Sequence, residues 1–312
     1  TAVRMHCSDR KEDKIMVGKQ ERRYQRMITV VLALISLIMV IPLVLLVVAS
    51  FTSNNEIVLH GYSFFPKELS LEAYRYIWNE RAQVFHAYGI TILVTAIGTT
   101  IGVMMTLLYA YVLAHEKFPG KTFLAFYLFF TMLFNGGLVP TYIMYTRYLH
   151  MKNTIPALII PGLLMSAFNV ILTRTYIQSN VPAALSEAAK IDGATEFQVF
   201  RKVVLPMCKP IIATVGLFAG LGYWNDWTNG LYYITDTNKF SIQQLLNNMI
   251  KNIEFLSKNA NSNINLASVG GGIPQETVRM AIAIVGLLPI LIVFPFVQKY
   301  FVKGISIGAV KG

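Results

Sequence analysis

The sequence has few of the residues on which disulfide-rich and metal-binding proteins depend. Only two of its 312 residues are cysteine, Cys7 and Cys208, too few for a disulfide framework or a cysteine-based metal site. The five histidines are scattered and lack the helical pairing that metal ligands show. We therefore expect no metal site in this chain.

Charged residues are also scarce. They make up 14% of the chain, against about 25% in a typical soluble domain, while 54% of the residues are hydrophobic. A soluble fold of this length would need more polar surface. Several apolar stretches exceed the roughly 18–20 residues that span about 30 Å of hydrocarbon as a helix. The sequence therefore predicts an all-α, polytopic membrane protein.

The apolar runs predict six transmembrane helices. They are residues 27–50, 87–114, 121–146, 155–178, 208–228 and 277–298. The third run contains Asn135-Gly136-Gly137 and Pro140, so we expect it to break or bend there.

The segments outside the spans complete the predicted domain organisation. The transmembrane domain, 27–298, lies between an N-terminal tail, 1–26, and a C-terminal tail, 299–312. Residues 1–15 are interpreted as an extension, because Met16 offers a plausible start. Two long segments, 51–86 and 229–276, are predicted to be extracellular, and loops of that length are usually functional or disordered.

The net charge of +11 is explained by topology. With both termini placed inside, 18 of the 27 Lys and Arg lie on the inner side and nine on the outer side, while the acidic residues divide evenly. Basic residues collect on the cytoplasmic side of membrane proteins. The charge therefore predicts cytoplasmic termini in a cell-membrane protein that contacts lipid, and it requires no nucleic-acid partner.

The segment 182–206, between the fourth and fifth spans, differs from an ordinary connector. It contains Glu187-Ala188-Ala189, then Asp192-Gly193-Ala194, and it ends in Leu205-Pro206. The alanine-rich run favours a short helix, Gly193 allows a sharp change of direction, and a second helix is expected to stop at Leu205-Pro206. Two short helices meeting at a turn would project into the cytosol. Small alanines beside one carboxylate could then enter a groove of a partner.

This spacing resembles the EAA loop of ATP-binding-cassette importer permeases. Gly193 follows Glu187 by six residues, and Leu205-Pro206 begins twelve residues after Gly193. Together with six spans and the terminal run 304–312, the chain is similar to carbohydrate uptake permeases of the maltose-transporter type over roughly residues 20–312. The run from Phe134 to Tyr142 resembles the Gram-positive subgroup that imports complex oligosaccharides.

The resemblance implies a type I importer permease fold that moves oligosaccharides into the cell. It implies four kinds of contact: a second homologous permease, two ATP-binding-cassette ATPase subunits, an extracellular lipid-anchored sugar-binding protein, and lipid. It assigns ATPase coupling to the residues of the EAA segment (182–206), namely Glu187, Ala188, Ala189, Asp192, Gly193, Ala194, Leu205 and Pro206. ATP and Mg would belong to the partner ATPase, so this chain is expected to bind no cofactor and to catalyse no reaction.

A substrate path is predicted from polar and aromatic residues in the spans. Tyr223-Trp224-Asn225-Asp226 ends the fifth span. Aromatic residues there are explained equally well by an interfacial belt or by stacking on sugar rings, with Asn225 and Asp226 bonding hydroxyls. An intramembrane carboxylate usually faces a cavity or a partner. Asn135 and Asn169 are further candidates for the same path.

Small residues recur at four-residue spacing in two spans. The pairs Gly98/Gly102 and Gly216/Gly220 each place two glycines on one helix face. Such spacing predicts close helix packing, within the chain or against a second permease.

Two other functions remain open at this point. The same importer architecture could carry a polyamine, phosphate or peptide. A channel or membrane enzyme working alone would instead require intramembrane histidines or paired carboxylates, and the predicted spans contain no histidine.

Overall fold

The computed structural model describes residues 2–115, 118–260 and 275–309, and it describes side chains at 21, 23–115, 118–255 and 275–295. These residues are mostly helical, and their one extended pairing is an isolated antiparallel bridge between Thr52 and Leu69. The all-α class is therefore confirmed. Part of the predicted extracellular segment, 261–274, and the last residues of the predicted C-terminal tail, 310–312, lie outside the described residues.

The α-helices of the described residues are numbered in chain order. They are α1 Ala2–Ser50, α2 Asn54–His60, α3 Glu72–Asn79, α4 Arg81–Ala114, α5 Lys121–Leu133, α6 Leu138–Ile143, α7 Pro156–Ile159, α8 Ala167–Asn180, α9 Ala183–Ile191, α10 Glu196–Val199, α11 Leu205–Met207, α12 Lys209–Trp224, α13 Thr228–Tyr233, α14 Ile242–Ala260 and α15 Gln275–Ala309. Three tighter or wider helical turns join them: π-helices at Met144–Tyr148 and Phe200–Val204 and a 3₁₀ turn at Thr237–Lys239.

The chain divides into two compact units, of which the first comprises residues 1–75 and 273–284. Here the end of α1 is tied to the start of α3, because the Ser50 hydroxyl lies 2.8 Å from that of Tyr74. The Glu56 carboxylate accepts hydrogen bonds from the backbone amides of Lys67 and Glu68 at 2.7 and 2.6 Å. These bonds lower the pKa of Glu56. The segment after α2 is thus held by a carboxylate on that helix.

The second unit, residues 76–272 and 285–312, is organised around α4. This helix packs chiefly against α12 and α8. A Cβ atom added at Gly98 would lie 2.6 Å from Cε1 of Tyr223, and one at Gly102 would lie 2.6 Å from the Leu164 carbonyl oxygen. The predicted close packing of small residues is therefore confirmed, and it occurs within this chain. The core beside it is apolar and includes Leu107, Ala110, Leu113, Val170, Val199, Val204, Cys208 and Val215.

Three segments of the described residues are long and apolar enough to cross a bilayer. They are Arg23–Ser50, Arg81–Ala114 and Gln275–Pro295. Two bent pairs reach that criterion together: Lys121–Leu133 with Leu138–Tyr148, bent by 114°, and Glu196–Met207 with Lys209–Trp224, bent by 81°. Length and composition thus give three spans, or up to five. The predicted count of six is not confirmed.

The predicted fourth span differs most from a single helix. Residues 155–178 form α7 and α8, with a non-helical stretch between them that contains Pro161 and Gly162. Gly162 has φ of +71°, a conformation that glycine adopts without steric cost. In the third span the predicted break is confirmed, because α5 ends at Leu133 and α6 follows Gly137, whose φ is +80°.

The predicted tails are not separate from the terminal spans. Helix α1 already begins at Ala2, and α15 continues to Ala309, beyond the span end predicted at residue 298. Charged straight-chain residues such as Lys, Arg, Glu and Gln have good helix propensity. The loss of apolar character therefore marks the end of a possible span and not the end of the helix.

Candidate functional site: the EAA segment

The EAA segment forms two helices joined by a tight turn. Helix α9 begins after Pro182 in an extended conformation and ends at Asp192. The Ala194 amide donates to the Ala189 carbonyl at 2.9 Å, the Gly193 amide donates to the Lys190 carbonyl at 3.0 Å, and Gly193 has φ of +82°. These are the two bonds and the left-handed residue of a Schellman motif. The predicted turn at Gly193 is confirmed.

The second helix starts from its own cap. The Thr195 hydroxyl accepts a bond from the Gln198 amide, and the Gln198 side chain accepts one from the Thr195 amide. This reciprocal pair is a capping box, which satisfies two helix-end donors. Because one cap directly follows the other, the angle between the two helices is set by local hydrogen bonds.

The prediction that Leu205-Pro206 stops the second helix is wrong. The helix continues through the π-turn Phe200–Val204 and the short α11, and it ends at Cys208, where α12 departs at 81°. Pro206 is the second residue of α11, directly after this π-turn, so the helix runs through the proline. The Cys208 amide still reaches the Val204 carbonyl at 3.0 Å.

A polar cluster fastens the turn to the end of α4. Lys190 Nζ lies 2.5 Å from one carboxylate oxygen of Glu196, and the Tyr111 hydroxyl donates to the other at 2.9 Å. The Tyr111 ring also packs against Phe200, with centroids 5.2 Å apart. The Lys190 ammonium, aided by the Tyr111 hydroxyl, lowers the pKa of Glu196. No pattern in the sequence predicts this cluster, because no spacing relates Tyr111 to residues some eighty positions later.

The EAA residues divide between an exposed face and a packed face. Glu187, Ala188 and Asp192 are exposed. Ala189 and Ala194 are partly buried and pack on the core cluster. The two alanines therefore do different things: Ala188 lies at the surface, whereas Ala189 lets α9 approach the core closely.

Large apolar side chains of the same segment are exposed as well as the carboxylates. Leu185 is 48% exposed, Ile191 is 87% exposed and Phe197 is 65% exposed. Large apolar side chains grouped on a polar segment are typical of protein interaction sites. The turn therefore presents a rigid surface with apolar anchors and the two carboxylates of Glu187 and Asp192.

A cavity of about 490 Å³ lies between α4 and the bend at Cys208. Its lining is mainly apolar, and it includes Val103 and Leu107 of α4 together with Leu205, Pro206 and Ile212. The two predicted residues Leu205 and Pro206 therefore face space next to α4 and not the exposed surface of the turn.

Two of the six predicted substrate-path residues are buried in this structure. The Tyr223 ring is 2% exposed, and its hydroxyl donates to the Ile159 carbonyl at 3.0 Å. Asn169 is 9% exposed, on α8. In this conformation the Tyr223 ring is therefore a packing element and is not available to stack on a solute.

The other four candidates make hydrogen bonds with backbone groups. Asn135 accepts a bond from the Gly137 amide at 2.8 Å, within the break of the third span. Trp224 Nε1 donates to the Gly286 carbonyl, and Asn225 Nδ2 donates to the Leu221 carbonyl. One Asp226 oxygen accepts from the amides of the first residues of α13. Only Asn135 and Asn225 have exposed side chains, so the structure does not bring the six residues to one open site.

No described group of three His, Cys, Asp or Glu side chains could hold a metal ion.

Fold and site together define a class, the multi-pass helical proteins of the cell membrane. Residues 98–307 match the family described as "binding-protein-dependent transport system inner membrane component". This range includes the EAA segment and covers more than half of the chain. The chain belongs to that family, which supplies the membrane permease component of ATP-binding-cassette importers.

Relatives of known name support the same assignment. The "Polygalacturonan/rhamnogalacturonan transport system permease protein YtcP" of Bacillus subtilis (strain 168) is 35% identical over 293 residues, 94% of this chain and 100% of that protein. Protein LplC of the same organism is 34% identical and covers 88% of this chain and 90% of its own length. A solved bacterial ABC transporter "involved in the import of the acidic polysaccharide alginate" contains a chain with a TM-score of 0.74 and 28% identity. The match covers 90% of this chain and 98% of that chain.

Proposed function

We propose that this chain is a transmembrane subunit of an ATP-driven importer that moves oligosaccharides into the cell. It pairs with a second permease and two ATPase subunits, which bind ATP and Mg, and it receives substrate from an extracellular lipid-anchored binding protein. The sugar substrate is supported by the transport names of relatives such as YtcP. Six spans with cytoplasmic termini are proposed from the distribution of charge.

The observation that carries this proposal is the exposed surface of the EAA segment. Leu185, Ile191 and Phe197 are exposed, as is Glu187, in a segment whose turn is set by two helix caps. In the proposed mechanism this turn sits in a groove of the ATPase, and closure of the ATPases moves it. Allosteric coupling of two sites needs an element whose conformational equilibrium both sites can shift.

The turn of the EAA segment is attached to the end of α4, which supports the proposal that its movement is transmitted into the membrane. Glu196 links the turn to Tyr111 at the end of α4, and α4 packs on α12 and α8. The cavity beside Leu205 and Pro206 leaves room for the bend at Cys208 to change without overlap. Substrate is then proposed to pass residues such as Asn225, whose side chain is exposed.

The charge reversal Glu187→Arg tests the coupling. Because Glu187 is exposed, the chain should still fold. Uptake should fall by at least about tenfold, equivalent to about 1.4 kcal/mol of coupling, and the binding protein should no longer stimulate ATP hydrolysis. Glu72→Arg, on the predicted outer segment, is the matched control. Full uptake with Glu187→Arg would instead support a channel that works alone.

Affinity purification of the tagged chain from its host in mild detergent tests the partners. The proposal expects an ATPase and a second permease of similar size in the eluate. Recovery of this chain alone, under conditions that hold a known importer together, would contradict it. Uptake of a polyamine, phosphate or peptide in place of a sugar would favour the alternative substrate.

A further inference from the structure

A short basic segment between α6 and α7 has no counter-charge of its own. Residues 147–153, called the basic turn here, contain Arg147, His150 and Lys152, and no Asp or Glu occurs anywhere from residue 117 to residue 186. All three side chains are exposed. Among the described residues, neither Arg147 nor Lys152 forms an ion pair.

The backbone of the basic turn is irregular. Its first two residues, Arg147 and Tyr148, are the last two of the π-helix Met144–Tyr148. His150 and Asn153 have φ of +51° and +58°, and they are the two non-glycine residues of the described chain with positive φ. Such conformations persist where surrounding contacts hold them, and both π-turns and left-handed residues are frequent at functional sites.

Asn153 holds this backbone in place. Its side-chain oxygen accepts hydrogen bonds from the backbone amides of Thr235 and Asp236 at 2.6 and 3.1 Å. Its backbone amide donates to the Tyr233 carbonyl at 2.9 Å. Asp236, which this contact brings to the turn, pairs with Lys239 at 2.9 Å. The carboxylate that these contacts bring to the basic turn, that of Asp236, is therefore already paired with Lys239. It does not neutralise the positive charge of the basic turn.

Three tyrosines lie within or just before the basic turn along the chain. Tyr142 stacks on Tyr233 with centroids 5.8 Å apart, and Tyr145 meets the same ring edge-on at 6.0 Å. Tyr148, between Arg147 and the rest of the basic turn, is 74% exposed. Tyr148 is therefore open to solvent, one residue after Arg147 and four residues before Lys152 along the chain.

Topology does not account for this charge. In the proposed orientation the basic turn lies on the outer side, where short loops are ordinarily poor in Lys and Arg. An anionic ligand is a physical reason for placing them there. Arginine binds carboxylates with two parallel hydrogen bonds, and an exposed ring offers a stacking face of the kind on which sugars lie.

We propose that the basic turn binds the carboxylates of an acidic oligosaccharide at the outer mouth of the transporter, with Tyr148 stacked on a sugar ring. The inference rests on the proposed importer function and names its substrate class as uronate-containing. A sugar acid presents a ring face and a carboxylate together, and the turn holds their complements on a fixed backbone. A lipid phosphate would need only the charge.

Uptake by the complete importer in proteoliposomes, with its binding protein, tests this inference. The probes are trimers of uronic acids and the matching neutral trimers. The variant Arg147→Gln/Lys152→Gln should raise the half-saturating concentration of uronate trimers at least tenfold and weaken its dependence on salt. Neutral trimers should change by less than twofold. The control Lys67→Gln/Arg75→Gln, which removes two exposed charges from the other outer segment, should leave both unchanged.

Substitutions of Tyr148 test the stacking separately. Tyr148→Ala should weaken uptake of acidic and neutral trimers alike, whereas Tyr148→Phe, which keeps the ring, should behave as the wild type. An equal loss with Phe would overturn the stacking role.

Four outcomes would overturn the charge role. The variant Arg147→Gln/Lys152→Gln could leave uptake unchanged, or it could reduce uptake of acidic and neutral trimers equally. Its effect on uptake could instead depend on the fraction of anionic lipid in the vesicles, or the variant could weaken docking of the sugar-free binding protein. Wild-type uptake of neutral trimers alone would overturn the acidic substrate class while the importer function stands. Uptake of no oligosaccharide by the complete complex would overturn the proposed function itself.

Discussion

Gly98→Ala is expected to destabilise the chain by about 2–4 kcal/mol, because the added methyl group would overlap the Tyr223 ring. A Cβ atom there would lie 2.6 Å from Cε1 and 2.7 Å from Cε2 of Tyr223. The Tyr223 Cζ atom would lie closer still. Carbon atoms in contact prefer about 3.5 Å, so the ring must move by roughly 1 Å. The Tyr223 hydroxyl donates to the Ile159 carbonyl at 3.0 Å, and a bond stretched by that distance is lost.

The expected magnitude combines three effects. Overpacking a close contact costs about 1–3 kcal/mol, and a buried carbonyl without its donor costs about 1–3 kcal/mol. Replacing a helical glycine by alanine returns about 0.5–1 kcal/mol. The overlap should therefore dominate at Gly98. At Gly89, where nothing lies within 4 Å of an added Cβ, the same change should be neutral or stabilising.

Unfolding of the purified chain in detergent, by heat or by SDS, measures both variants. Tyr223→Phe alone should cost about 1 kcal/mol, because it removes the hydroxyl donor. In the Gly98→Ala background it should cost less, since that bond is already broken, and a double-mutant cycle reports the difference. The reasoning is refuted if Gly98→Ala is no more destabilising than Gly89→Ala, or if the two changes simply add.

Three further changes have expected outcomes. Thr91→Val removes the hydroxyl that accepts a bond from the buried Ile242 amide at 2.8 Å, and unfolding should show a loss of about 1–3 kcal/mol; a loss near zero would mean that the amide finds another acceptor. Gly193→Ala forces φ of +82° on a residue with a Cβ, although no atom lies within 4 Å of that Cβ. The cost is therefore backbone strain of about 1–2 kcal/mol, and it should appear as weaker stimulation of the ATPase. Unchanged stimulation would contradict this expectation. Glu196→Gln removes a carboxylate whose pKa is lowered from 4.5 by its lysine and tyrosine partners. The wild type should lose this contribution to stability only as the pH falls below 4.5 through the lowered pKa, and thermal unfolding against pH should show no such step in the variant.

The features that could be predicted from sequence are those with local causes. The break in the third span follows from Asn135-Gly136-Gly137, and the turn of the EAA segment follows from Gly193, because glycine alone takes these conformations without cost. The prediction of a stop at Leu205-Pro206 is wrong because the helix passes through the proline by way of the π-turn Phe200–Val204. Whether a proline starts a turn or ends one depends on the residues that precede it.

The surroundings of the predicted substrate-path residues could not be predicted from local sequence patterns. A tyrosine at the end of an apolar run is compatible with a sugar site, a membrane belt or a packing contact. Tyr223 proves to be buried because Gly98, on another helix, leaves space for its ring. That pairing joins residues 125 positions apart, and no local pattern encodes it.

By itself the sequence determined the class of this protein. Its shortage of charge and its apolar runs require a membrane, and its basic residues indicate an orientation. The spacing from Glu187 to Pro206 indicates the family. Each of these features depends on composition or on neighbours along the chain. The tertiary structure alone decided that Ala188 is exposed and Ala189 packed, and that Glu196 is fastened to Tyr111. It also decided that Arg147, Tyr148 and Lys152 are exposed and that neither cation has an ion partner among the described residues. Those facts depend on which distant side chains meet, and burial and counter-charge are settled only when the helices pack.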